Sequence, residues 1–174
     1  MNRAMCLTLM TLVLAAVVMI GCGGAPATET AANDASAPAQ PQSPADLGNA
    51  AADLYGQAMS ELVALLKDKP APAAVKDQVA QLKEEYVQKL VSLGRQREAL
   101  GTADRAAADM RVSLGLERAA GPSFQAYSGI QQHYMSLDNE LANQIASFNI
   151  LTQYFNFDLL KKQSPAEAQR LGLQ

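Results

Sequence analysis

Few side chains in this sequence are able to do covalent or metal chemistry. There is one histidine, His133, and there are two cysteines, Cys6 and Cys22. Metal centres in helical proteins draw carboxylate and imidazole ligands from facing helices, typically as Glu-x-x-His pairs. No such pair occurs here. Nucleophilic catalysis needs a hydroxyl or thiol beside a base, and a lone histidine without a Gly-x-Ser-x-Gly or a phosphate loop supplies no such constellation. The acids Glu84, Glu85, Glu98, Asp104, Asp109 and Glu117 are interleaved with Lys and Arg along one stretch. That is the pattern of a solvated helix face, not of carboxylates gathered in a pocket with shifted pKa values. The sequence therefore predicts no catalytic residues, no cofactor and no metal ligands.

Cys22 has a different setting. Met1–Arg3 make a short positive start, residues 4–20 carry no charge, and the apolar run stops at Gly21-Cys22-Gly23-Gly24. A positive n-region followed by an apolar h-region is a secretory signal, and the run is shorter than the ~20 residues of a spanning helix. Met19-Ile20-Gly21-Cys22 resembles the lipobox of bacterial prolipoproteins, with Met19 where Leu is commoner. The resemblance implies cleavage before Cys22 and a diacylglyceryl group on its thiol, often with a third, palmitate-type chain on its amine. Two or three chains hold firmly where one binds reversibly, so the lipid bilayer is the first partner expected. Gly23, not being Asp, carries no inner-membrane retention mark, which favours an outer-membrane lipoprotein facing the periplasm. Cys6 would leave with the leader. The expected organisation is 1–21 signal peptide, 22–42 lipidated cysteine and tether, 43–174 folded domain. Seven alanines and three prolines among residues 23–42 show no apolar period, which suits a linker of roughly 25 Å coil-like span.

Hydrophobic residues make up 49% of the chain but aromatics only 5%, and alanine and leucine carry the count. That balance favours helices over strands rich in aromatic and β-branched residues. With 14 basic and 17 acidic residues the formal charge is −3, which gives no general attraction to nucleic acid.

Ser43-Pro44-Ala45-Asp46 and Ser164-Pro165-Ala166-Glu167 both place a capping serine before a proline and an acid three residues after the cap. Pro70-Ala71-Pro72 and Gly121-Pro122-Ser123 are the strong internal breaks. They delimit helices of about 44–68, 73–118 and 124–162 and a short one near 165–171. Val79, Tyr86, Leu93, Leu100, Ala107 and Leu114 recur every seven residues, and Val75, Leu82, Ala103 and Met110 fill part of a second row. Tyr127, Tyr134, Leu141, Phe148 and Phe155 do the same further on. The rows predict an all-α fold: an elongated antiparallel helical hairpin completed at its base to a three-helix bundle, with a short C-terminal helix. The alternative is a compact four-helix bundle with a break near Gly101, since Gly94 and Gly101 each cost a helix about 1 kcal/mol. Gly94, Gly101, Ala108 and Gly115 are also seven apart, a row of small residues that would let a neighbouring helix come close.

Between residues 119 and 157 only Asp138 and Glu140 are charged, whereas nine positions are Asn or Gln. Interface centres are depleted of charge and enriched in Tyr and Met. Tyr127, Gln131, Tyr134 and Met135 are thus candidate contacts. Arg97, Arg111 and Arg118 share a heptad row, placed to bind an acidic partner or to pair with Asp138 and Glu140 across the hairpin. The expected function is that of a membrane-tethered, non-catalytic helical module of the cell envelope that binds another protein or itself. The alternative is a module binding a small ligand, metal or cell-wall glycan.

Overall fold

A computed structural model of the chain describes residues 43–119 and 121–173; the leader, Cys22 and the tether lie outside the described residues. Among the described residues seven α-helices and one 3₁₀ helix follow in order: α1 (Pro44–Leu66), α2 (Pro72–Glu98), α3 (Thr102–Ala119), α4 (Pro122–Met135), α5 (Asn139–Ala146), the 3₁₀ helix (Ser147–Tyr154), α6 (Phe157–Gln163) and α7 (Pro165–Arg170). Among the described residues there is no strand. The fold is an all-α helical bundle.

Helix α1 starts where its cap predicts: the Ser43 Oγ accepts a hydrogen bond from the Asp46 N–H at 3.2 Å, and Pro44 occupies the first turn. It is the hub of the bundle, packing against α2, α3, α4 and the 3₁₀ helix. Its buried residues include Leu47, Ala51, Tyr55, Met59, Leu62 and Leu66, which recur at helical spacing. Helix α2 returns antiparallel to α1, so that the Tyr86 hydroxyl donates to Glu61 at 2.8 Å.

Residues 73–118 are not one helix, and the elongated hairpin does not form. The chain leaves the α-helix at Ala99–Gly101, and α3 packs chiefly on α1 rather than on the helices that follow it. The break falls beside Gly101, the position of the compact alternative. Arginines hold it. The Arg105 guanidinium donates to the carbonyls of Leu100 (3.0 Å) and Glu98 (2.6 Å) and to the Glu98 carboxylate (2.9 Å). It thus satisfies carbonyls that the end of a helix leaves without partners.

The expected row of small residues is partly used, at a different seam. A Cβ on Gly48 would meet the Ala108 carbonyl, one on Gly115 would meet the Ala52 methyl, and one on Gly56 would lie 3.5 Å from Ala119. The pairs advance together along the chain, so α1 and α3 run parallel with their backbones close. Gly94 is instead covered by Phe157 and the Phe155 carbonyl.

Residues 124–162 are also several helices, not one. The Asp138 carboxylate caps α5 by accepting from the Leu141 N–H at 2.9 Å, and Asn156 caps α6 by accepting from the Leu159 N–H at 3.0 Å. Lys76 near the start of α2 binds Asp138 and Glu140, while Gly94 near its end meets Phe157. The segment from α5 to α6 therefore runs parallel to α2. Arg170 then ties α7 back to Glu84 at 2.9 Å.

Candidate functional site

Helix α4 and its exit turn make one of two long charge-free runs among the described residues, the other being residues 141–157. From Gly121 to Leu137 there is no Asp, Glu, Lys or Arg. Tyr127, Ile130 and Tyr134, spaced three and four apart, are buried. The Tyr127 hydroxyl donates to the Ile145 carbonyl at 3.2 Å and the Tyr134 hydroxyl to the Pro70 carbonyl at 2.8 Å. Burial pushes the Tyr127 hydroxyl pKa up to about 12. These two rings belong to the core and correct the expectation that they form a docking surface. Each aromatic body packs inside while its hydroxyl finds a backbone acceptor.

A flank of the same helix, about 100° round from that row, faces outward. Phe124, Ser128, Gln131 and Met135 follow at steps of four, three and four, so they lie along one face. Phe124 is 45% exposed, Met135 59% and Leu137, just past the helix, 58%; Gln131 is half-buried. Of the residues expected from the sequence, Gln131 and Met135 thus share a surface. Phe124 and Leu137 join them and were missed. The i, i+4, i+7, i+11 spacing from Phe124 was a legible sign, but it was hidden because the neighbouring tyrosine row reads more strongly.

The three arginines do not assemble. Arg97 is 3% exposed, the only charged side chain in the core of the described residues. Its Nε and Nη2 donate to the two carboxylate oxygens of Asp109, each at 2.7 Å, and Nη1 donates to Glu98 at 2.6 Å. The Asn156 amide adds a bond to Asp109 at 3.1 Å, and the guanidinium lies 6.0 Å from the Phe155 ring. Arg97 therefore joins α2, α3 and the start of α6 and is no contact for a partner. Nor do the arginines reach Asp138 and Glu140, which Lys76 holds at 2.9 and 2.8 Å. Arg111 and Arg118 are exposed on α3. Arg118 lies at an open groove of about 410 Å³ between α1 and α3, floored by Ala52, Gly56, Gly115 and Ala119 and edged by Asp53 and Gln57.

His133 is half-buried and set edge-on to Tyr134, with ring centroids 5.1 Å apart. Because α4 stops at Met135, His133 and Glu140 are not on one helix. Among the described residues no three His, Cys, Asp or Glu side chains gather to hold a metal ion, and no helix is long and apolar enough to cross a membrane.

No protein-family model matches this sequence, and no curated protein and no solved structure is significantly similar to it. The functional reading rests on the residues and their geometry.

Proposed function

We propose that the protein is a lipid-anchored, non-catalytic module of the cell envelope, held to the bilayer through acylated Cys22, which docks another protein on the outer face of α4. The observation that carries the docking is the charge-free surface of Phe124, Gln131, Met135 and Leu137. A soluble protein normally clothes an outward helix face in charge. Uncharged polar groups around large apolar ones cost little to desolvate, which suits a surface covered by a partner. The anchoring is supported by the Met19-Ile20-Gly21-Cys22 sequence after an uncharged run. An outer-membrane position facing the periplasm is the placement this reading favours.

Two measurements in the native bacterium test it. Labelled fatty acid should enter the wild-type protein and not the Cys22→Ser variant; label in the variant sinks the anchor. A photoreactive residue replacing Met135 should give one discrete adduct with a second protein, and an added Ser128→Glu should abolish it. The same probe replacing exposed Asp77 should give none. An indistinct ladder from both positions would show that α4 has no docking role.

A further inference from the structure

Helix α3 carries a second apolar face that the bundle does not use. Its inward side packs Ala108 and Gly115 on α1, with Val112 buried beside them. On its outward side lie Ala103, Ala107, Met110 and Leu114, at steps of four, three and four. Met110 is 57% exposed, Leu114 45%, Ala103 exposed and Ala107 half-buried. This spacing is that of a coiled-coil seam, with Ala103 and Met110 in one core row and Ala107 and Leu114 in the other. In α2 the continuation of the two rows, Val75, Val79 and Tyr86, is buried inside the bundle; in α3 the rows face solvent.

We infer that this seam pairs antiparallel with the same seam of a second copy of the chain. Three features select that occupant. First, the seam is small at its start and large at its end. A two-fold antiparallel pairing sets Ala103 against Leu114 of the other copy and Ala107 against Met110, so every layer is small opposite large. A parallel pairing would set Met110 against Met110 and leave Ala103 facing Ala103, crowded at one layer and empty at the other. Second, the charges flanking the seam are complementary under the same operation. Asp104 and Arg111 are seven residues apart and exposed on one edge. A two-fold axis across antiparallel helices brings like edges together, so Asp104 of each copy meets Arg111 of the other. Third, the opposite edge carries the small, uncharged Ala106 and Ser113, and the same operation sets Ala106 of each copy against Ser113 of the other without repulsion or bulk.

The seam from Ala103 to Leu114 is ~16 Å long. Such a patch is smaller than the roughly 800 Å² per partner of a standard interface. The pairing is therefore weak and reversible, and it leaves the α4 face open. It does not depend on what α4 binds.

The test uses the full chain in cells. Two copies of different length, one extended by a tag, are co-expressed with a photoreactive residue replacing Met110. Irradiation should yield a mixed adduct containing both copies, and fragment mapping should join position 110 to the segment around Ala107. Asp104→Arg sets arginine against Arg111 and should cut the adduct about tenfold, as should Arg111→Asp. The combined Asp104→Arg and Arg111→Asp exchange restores opposite signs and should restore the yield. Circular dichroism of the variants guards against unfolding, and the exchange separates a charge effect from damage to the helix. An adduct joining position 110 to residues 23–42 of its own chain would overturn the inference. So would an adduct with an unrelated protein alone, or a double exchange that recovers nothing.

Discussion

Arg97 on α2 and Asp109 on α3 pair across the break between their helices. The guanidinium is 4% exposed and the carboxylate 34%, and two parallel bonds of 2.7 Å join them. Bidentate geometry gives such a pair direction as well as energy. Removing one partner of a buried pair leaves an uncompensated charge and costs about 3–5 kcal/mol, whereas replacing both by apolar groups is often near neutral. Asp109 is about a third exposed, so water offsets part of that penalty. We expect Arg97→Ala and Asp109→Ala each to lower stability by about 2–3 kcal/mol. Arg97→Ala combined with Asp109→Ala should lose less than the sum of the single changes. Urea unfolding of the four proteins closes the cycle; additive losses would mean the two side chains do not act as a pair. The same residue shows why its role was illegible in the sequence. An arginine in a mixed-charge stretch reads as surface, and only the turn at residues 99–101 swings α3 round to put Asp109 beside it.

At the scale of elements, the starts of helices were legible and their internal breaks were not. Ser43-Pro44 opens α1 with its cap bond formed, and Pro165 opens α7 although the Ser164 side chain makes no cap bond; a capping side chain and a fixed proline φ are local facts. Asp138 and Asn156 cap helices equally well, yet neither is followed by a proline, and each lies inside an apolar rhythm that runs on through the break. The heptad rows have the same blindness at Gly101. A turn of three residues (99–101) hardly disturbs a seven-residue count, so the rows cross it although the chain reverses. No left-handed glycine makes the break, since the positive-φ residues of the described chain are Lys69 and Gly172. The two glycines should therefore respond differently to Ala. At Gly94 the new methyl would sit 2.5 Å from the Phe157 ring and 2.9 Å from the Phe155 carbonyl, and overpacking of that kind costs about 1–3 kcal/mol. At Gly101 nothing lies within 4 Å. The change there should stay within about 1 kcal/mol, the loss of a glycine at an N-cap. Thermal melts of the two variants decide it, and equal losses would place the helix break elsewhere.

For the molecule as a whole, five tyrosines do much of what bulky aliphatic residues do in other cores. Tyr55, Tyr86, Tyr127, Tyr134 and Tyr154 are all buried, and they are all the tyrosines in the chain. Burial raises the hydroxyl pKa of every one, with the Glu61 carboxylate adding to the shift at Tyr86 and Glu167 at Tyr154. A phenol whose folded pKa lies above its unfolded value of about 10 contributes stability that is intact below pH 10. That stability is lost as pH rises from there through the folded values, because only the unfolded chain can release its protons freely. We expect stability to the alkaline side to hold to about pH 10 and then fall steeply. The phenolate absorbance near 295 nm should stay low until helicity is lost, and then rise for all five rings together. On the acid side the shifts have the opposite sign. Arg170 holds Glu167 below its ordinary value, and Gln88 and Arg170 hold Glu84 below its own. Their support is present above the unfolded carboxylate range and fades as pH falls through the folded pKa values. These groups are largely at the surface, so the acid limb should be shallow and the alkaline limb steep. A phenolate titration centred near pH 10 with helicity unchanged would show that the tyrosines are open to water and that the core is not the one described.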